Sequence, residues 1–292
     1  MLEHAAAVSS SRQLPNLERT DTFVAYDLAH GTREGTFTRV VIQGTGRRDE
    51  VAFGDYHSLN VWARGRLATT RSQPLAPPEI VDLMRLTPIY MLRFDHEDVI
   101  QSIASKEVGG GTLRCIEFQT NAGARSESNE FCLDAANGTL VSEKVDNELI
   151  ENSDFFSFAG SLIPGKIRYS RNGVLRMQIS QTMTELTEVT PNVLEAPPDA
   201  KVMTGCRTFR RAFGESMPQP KAANGGGETD VVMRGIIGAD GKVHEALVQS
   251  SDRPDLDSEA LSLIQQWTFT PALCSGNPVQ IEASFTLQFQ GR

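Results

Sequence analysis

The sequence predicts an α+β protein in two parts, an N-terminal curved antiparallel sheet of the half-barrel kind followed by a small β-β-α-β domain. Three observations predict it. Strand-like runs separated by turn residues fill most of 21–200, with few helical stretches between them. A Pro-rich stop, Glu195-Ala196-Pro197-Pro198-Asp199-Ala200, closes that half. From Asp230 onward two strands, an amphipathic helix and a long alternating strand follow in order. The chain has 292 residues, room for two domains of about 150 each.

The elements are justified in turn. Residues 1–20 are set aside as a disordered or vector-derived start, because Met1–Arg12 (MLEHAAAVSSSR) lacks the basic start and apolar core of a secretory signal. Thr36–Gln43 (TFTRVVIQ) alternates and is rich in β-branched residues. Arg48–Phe53, Ser58–Ala63, Leu113–Gln119, Glu130–Leu133, Thr139–Lys144, Lys166–Tyr169 and Val174–Val189 continue the pattern. Asn137-Gly138 and Asn172-Gly173 are hairpin signals, since both pairs tolerate positive φ. Pro78–Leu86 (PEIVDLMRL) reads as a helix, with Pro near its start and an acidic first turn. Phe94–Ser105 reads as a second helix. Residues 201–229 read as a linker, with Pro218–Thr229 of low complexity and Cys206–Phe213 a short basic helix or strand.

In the C-terminal domain, 230–292, Asp230–Ile237 and Lys242–Gln249 are strands around a Gly238-Ala239-Asp240-Gly241 turn. Asp255–Gln266 is a helix with Asp255 or Asp257 as N-cap and an apolar face of Leu256, Ala260, Leu261, Leu263 and Ile264. Val279–Gln290 is the last strand.

Charge and cysteine usage narrow the setting. With 28 Lys and Arg against 37 Asp and Glu, the net charge is −9. That balance argues against a nucleic-acid partner, which needs a basic face. No stretch approaches the roughly 20 apolar residues that span a bilayer. Cys115 and Cys132 lie on two strands at similar distances from the polar loop between them, so a hairpin sets them within disulfide reach. Cys206 and Cys274 are left to each other. Two such pairs point to an oxidising compartment, although no signal sequence is present in this chain. Four buried thiols in a cytosolic protein is the competing reading.

The C-terminal residues carry a family resemblance. Asp240-Gly241-Lys242-Val243, Ser250-Ser251, Leu256-Asp257-Ser258-Glu259-Ala260, Trp267-Thr268-Phe269-Thr270-Pro271-Ala272 and Gly276-Asn277-Pro278-Val279 occur in the order of the TonB C-terminal domain signature. About Asp230–Gln290 thus resembles that family. The resemblance implies a domain that binds an extended envelope peptide or protein by adding it as a strand to a sheet edge. The docking element it implies here is Val279, Gln280, Ile281, Glu282, Ala283, Ser284, Phe285 and Thr286. The chain has Ser216-Met217-Pro218-Gln219-Pro220 where the family has Pro-x-Tyr-Pro.

The strand Thr36–Gln43, the Trp62 strand, the Pro78–Leu86 helix, Phe155–Ile163 before Pro164-Gly165 and the Pro197-Pro198 ending resemble the LolA-like periplasmic lipoprotein carriers. That resemblance implies a half-barrel with a helical lid over an apolar cavity. Trp62, Phe118, Phe131, Phe155, Phe156 and Phe158 are the candidate lining, against the competing reading of an ordinary core.

No catalytic constellation appears. His4, His30, His57, His96 and His244 share no metal-ligand spacing, GxSxG is absent, and the glycine runs follow no strand as a phosphate loop would. The expectation is a binding protein with no enzymatic activity, no metal and no cofactor. Its candidate partners are an envelope protein or peptide, a lipid or acyl chain, and a second copy of the chain.

Overall fold

The computed structural model describes residues 14–27, 31–87, 99–120, 127–190, 192–203, 205–220, 229–251 and 253–290. The chain forms two compact units. One draws on Met1–Thr70 and Leu83–Val202, the other on Arg71–Asp82 and Met203–Arg292.

In the first unit β1 (Leu17–Asp27), β2 (Gly31–Ile42), β3 (Gly46–Phe53), β4 (Tyr56–Ala63) and β5 (Arg66–Arg71) follow one another. Helix α1 (Pro78–Leu86), whose residues to Asp82 fall in the second unit, then intervenes. A second run holds β6 (Val99–Val108), β7 (Gly111–Thr120), β8 (Glu127–Asp134), β9 (Leu140–Val145) and β10 (Glu148–Ser153). It continues through a small hairpin, β11 (Phe156–Phe158) and β12 (Ser161–Ile163), to β13 (Lys166–Arg171), β14 (Val174–Glu185) and β15 (Lys201–Met203). Thirteen strands make one open sheet in the order β15-β5-β4-β3-β2-β1-β14-β13-β10-β9-β8-β7-β6. The late strand β14 returns to pair with β1, so the two runs join in the middle of the sheet. Asn172 (φ 53°) and Gly173 (φ 72°) close the β13–β14 hairpin as their sequence signal requires.

One face of this sheet buries charge. Leu17, Arg19, Asp21, Phe23 and Ala25 alternate inward along β1. Arg19, 2% exposed, donates from Nε and Nη2 to the fully buried Asp21 at 2.8 and 2.7 Å. Arg39, opposite Arg19 in register, does the same to Asp49 at 2.8 and 2.9 Å. Burial pushes the Asp21 carboxyl above its ordinary range, and Arg19 and Arg39 pull against that shift. Two like charges face each other here because both guanidiniums also donate to one acceptor, the carbonyl of Thr87, at 2.7 and 3.2 Å. Thr87 follows the last residue of α1, where helix carbonyls lack intrahelical partners and the dipole favours cations. The inner face thereby grips the end of α1, whose Ile80, Leu83 and Leu86 are buried.

Several expectations are corrected. Residues Leu17–Thr20 are not a disordered start but the beginning of β1, paired on both sides by β2 and β14; residues 1–13 lie outside the described residues. Of the helix expected over Phe94–Ser105, residues from Val99 onward are strand β6, and 94–98 lie outside the described residues. A register shift between Ile100 and Ser102 puts residues three apart on one face, which imitates helical spacing. The stretch 201–229 is not all linker, because it contains β15, β16 (Phe209–Arg210) and β17 (Phe213–Ser216). Hence Cys206–Phe213 takes its strand alternative. Both expected disulfides are present. Cys115 sits directly opposite Cys132 in the β7–β8 ladder, and Cys206 bonds Cys274 across 68 residues of sequence.

The second unit adds β18 (Thr229–Ile237), β19 (Val243–Ser251), a 3-10 turn at Pro254–Leu256 and α2 (Asp257–Ile264). Then come β20 (Thr268–Thr270), β21 (Ala272–Cys274), β22 (Asn277–Val279) and β23 (Ile281–Phe289). Neither Asp255 nor Asp257 caps the helix. The 3-10 turn begins after Arg253, and Asp255 instead accepts both Nε and Nη2 of Arg253.

A second tie to α1 is testable by pH. Glu148 on β10 accepts hydrogen bonds from Tyr169 Oη and Arg171 Nη2, each at 2.8 Å, and from Arg85 of α1. Burial pushes its carboxyl up, but these donors outweigh burial and hold its pKa at about 2. A folded pKa below the usual 4.5 contributes stability that is present above that value and lost as pH falls toward 2. Lowering the pH from about 5 toward 2 should therefore reduce urea stability more in the wild type than in Glu148→Gln. The difference should be on the order of 2 kcal/mol, allowing for solvent screening at this half-buried site. Parallel pH curves for the two proteins would contradict it.

Candidate functional site

The C-terminal sheet has the order β19-β18-β23, with every pairing antiparallel. Alternation makes it one-sided. Val231, Met233 and Ile237 of β18 and Phe285, Leu287 and Phe289 of β23 enter a buried cluster with Leu256, Ala260 and Ile264 of the helical segment. Trp267 and Phe269 fill the cluster beside Phe285, with ring centroids 5.8 Å and 5.9 Å from it. Indole Nε1 of Trp267 donates to the Pro218 carbonyl at 3.1 Å, so its polar atom is satisfied. The β18–β19 turn locks onto the same cluster. Phe269 N–H donates to the Gly241 carbonyl at 2.8 Å. Gly241 has φ 77°, and a Cβ there would stand 2.0 Å from the Phe269 carbonyl oxygen, so only glycine fits.

This packing leaves two sheet margins, and their regularity differs. The β18–β19 register shifts twice, between Val232 and Met233 and between Gly235 and Ile236. Bulges of this kind twist an edge and spoil it as a template. The β18–β23 register runs unbroken from Thr229 opposite Phe289 to Ile237 opposite Ile281. Among the described strands, β23 has no neighbour on its other side. The exposed side chains of β23 are polar, Glu282, Ser284, Thr286 and Gln288. Glu282 is engaged by Arg71 and, at 2.8 Å, by Arg234. Arg234 and Gln249 also donate to the carbonyls of Ala76 and Pro78, at 3.3 and 3.2 Å. The segment Arg71–Asp82 thus ties to this sheet through residues that sequence reading assigned to the first half.

The expected docking element needs one boundary correction. Val279 belongs to β22, where it pairs with Ala272 across a two-residue turn at Ser275 (φ 51°) and Gly276 (φ 87°). The chain leaves that hairpin at Gln280, and the edge strand begins at Ile281. Ile281, Glu282, Ala283, Ser284, Phe285 and Thr286 all lie on it.

Of the six candidate cavity residues, Phe118 and Phe131 meet, with centroids 4.7 Å apart, in a buried cluster with Ile116, Leu133 and Leu140. Trp62 on β4 lies under the Arg47 guanidinium, 4.0 Å from its centroid. Phe156 and Phe158 are half-buried on β11, and Phe155 precedes it. A cleft of about 550 Å³ in the first unit is lined instead by residues such as Thr22, Glu34, Thr36, Gln178 and Ser180, and by none of the six.

Two groups of chemistry-bearing side chains among the described residues have structural partners. Cys115, Glu130 and Cys132 come within 4.8 Å of one another, but both sulfurs are committed to the disulfide and offer no thiolate. His244 Nε2 lies 3.0 Å from Asp240 Oδ1 in an exposed turn. Sequence reading missed the inward row of Arg19, Asp21, Arg39 and Asp49. Their signal was available, since Arg19 and Asp21 share the parity of Leu17 and Phe23. No helix among the described residues is long and apolar enough to cross a membrane.

No curated protein matches the sequence. Among solved structures, a putative outer membrane lipoprotein-sorting protein domain from Vibrio parahaemolyticus is 9% identical with a TM-score of 0.42, covering 66% of this chain and 95% of that one. A LolA superfamily protein from Nitrosomonas europaea is 10% identical with a TM-score of 0.40, covering 67% and 96%. A DUF1329 family protein from Desulfovibrio piger is 9% identical with a TM-score of 0.46, covering 66% and 95%. Residues 220–290 match a protein family, the Gram-negative bacterial TonB protein C-terminal.

Proposed function

We propose that this chain is a non-catalytic binding protein of the bacterial cell envelope, residing in the periplasm, that docks an extended partner segment as an added strand along β23. One observation carries the reading. Within the residues that match the TonB C-terminal family, β23 is a sheet margin with an unbroken register and no second neighbour among the described strands. Backbone N–H and C=O groups on such a margin bind a partner's backbone with little demand on its side chains. Two disulfides suit an oxidising compartment. The test uses peptides selected from a random display library for binding to the full chain. Methylating alternate backbone nitrogens of a selected peptide should weaken binding at least about tenfold in one of the two methylation phases, the loss of one or two hydrogen bonds. Equal affinity in both phases would contradict strand addition.

A second reading, carriage of a lipid or lipoprotein acyl chain by a half-barrel with α1 as its lid, is favoured by one feature of the first unit. Ile100 and Ile103 of β6 are 48% and 58% exposed. They lie opposite Phe118 and Ile116 of the buried cluster, so apolar surface continues to the free margin of the sheet. Native mass spectrometry of protein purified without detergent should then show a co-purifying lipid mass. A bare polypeptide mass that stays unchanged after incubation with fatty acid would exclude it.

A further inference from the structure

In the second unit β16 and β17 form one ribbon. Phe209 is opposite Cys274, Arg210 opposite Leu273, Phe213 opposite Thr270 and Gly214 opposite Phe269, one register that runs from β16 as far as Gly214 before shifting at Ser216. Its base is held firmly. The Cys206–Cys274 disulfide staples it, the Ser275 N–H donates to the Thr208 carbonyl at 2.8 Å, and Ala212 packs against the cluster around Trp267. Alternation then sends Phe209, Arg211 and Phe213 to the side away from Ala212. Phe209 is 54% exposed and Phe213 75%, and Arg207, Arg210 and Arg211 are exposed beside them.

The charge of this segment runs against that of the chain. Residues 201–220 carry Lys201, Arg207, Arg210 and Arg211 against the single carboxylate Glu215, in a protein of net charge −9. Glu215 accepts the Thr270 hydroxyl at 2.7 Å. None of the three arginines has an ion-pair partner among the described residues. Exposed phenylalanine rings are costly in water, and with solvated guanidiniums beside them they gain from a partner that is apolar within and anionic at its surface. Both rings are more than half exposed, so they fit a soft layer that closes around them. We infer that the Arg207–Phe213 ribbon docks peripherally on an anionic lipid surface, with Phe209 and Phe213 entering the headgroup boundary and Arg211, on the same side, meeting lipid phosphate. The ribbon shares no residue with β23, so this docking stands or falls apart from strand addition.

The test is sedimentation of the full chain with phosphatidylglycerol–phosphatidylcholine vesicles and with phosphatidylcholine alone. The wild type should sediment with the mixed vesicles, weakly with the neutral ones, and less as salt rises. Arg211→Gln should lower partitioning by about fivefold, the loss expected for one charge. Phe209→Ser together with Phe213→Ser should remove the binding that survives high salt. Circular dichroism and non-reducing mass mapping of the disulfides keep these results tied to folded protein. A wild type that stays in the supernatant would overturn the inference. So would folded Phe variants that sediment as well as wild type, or binding to polyglutamate but not to vesicles, which would mark an acidic-protein site.

Discussion

An open sheet must end, and its last strand keeps a row of backbone N–H and C=O groups that no neighbour within the sheet satisfies. That constraint governs how the second unit of this protein presents itself. With β18 in the middle, only β19 and β23 face outward, and register shifts disrupt β19. The two faces are committed as well. Helix α2 covers one through Ala260 and Ile264, and on the sheet Arg234 and Gln249 hold the carbonyls of Ala76 and Pro78 while Glu282 holds Arg71. The Trp267, Phe269 and Phe285 cluster keeps β23 in register, so its margin is rigid before any partner arrives.

The first unit resolves a different tension. Burying Arg19, Asp21, Arg39 and Asp49 incurs a desolvation cost that hydrophobic residues would not. Each guanidinium meets a carboxylate in a two-bond fork, and the two arginines converge on the Thr87 carbonyl. The return is geometric specificity, because both arginines, each aimed by its own carboxylate, place the Thr87 carbonyl at the end of α1. Arg85 adds a further tie through Glu148. Apolar surface is open toward β6, where Ile100 and Ile103 stand.

Much of this was legible in the sequence, for physical reasons that also explain the gaps. Strands with clean alternation, such as Thr36–Gln43, and turns with Asn-Gly were read directly, as was the helix Pro78–Leu86, whereas the expected β-β-α-β order lacked the short strands β20, β21 and β22 before the last strand. Strand β1 was not, because Arg19 and Asp21 occupy inward positions and erase the apolar period. Strand β6 imitates a helix because its register shift changes the spacing of Ile100 and Ile103. The division at Gln280 depends on Val279 pairing with Ala272, a tertiary choice that one alternating run does not reveal. For the docking element, the residue pattern placed Ile281–Thr286 on a strand. That the strand is marginal is a property of topology, invisible to local periodicity. The six aromatic residues offered as a cavity lining show the opposite limit, since composition identifies apolar side chains without saying which of them meet.

Amide hydrogen exchange resolved residue by residue along Ile281–Phe289 tests the central claim without a partner. Amides bonded to β18 should be protected, and those between them, pointing outward, should exchange nearly as fast as an unstructured chain, giving a two-residue alternation. Uniform protection along the whole strand would mean that its outer side is already covered, and the margin on which the proposed function rests would not exist.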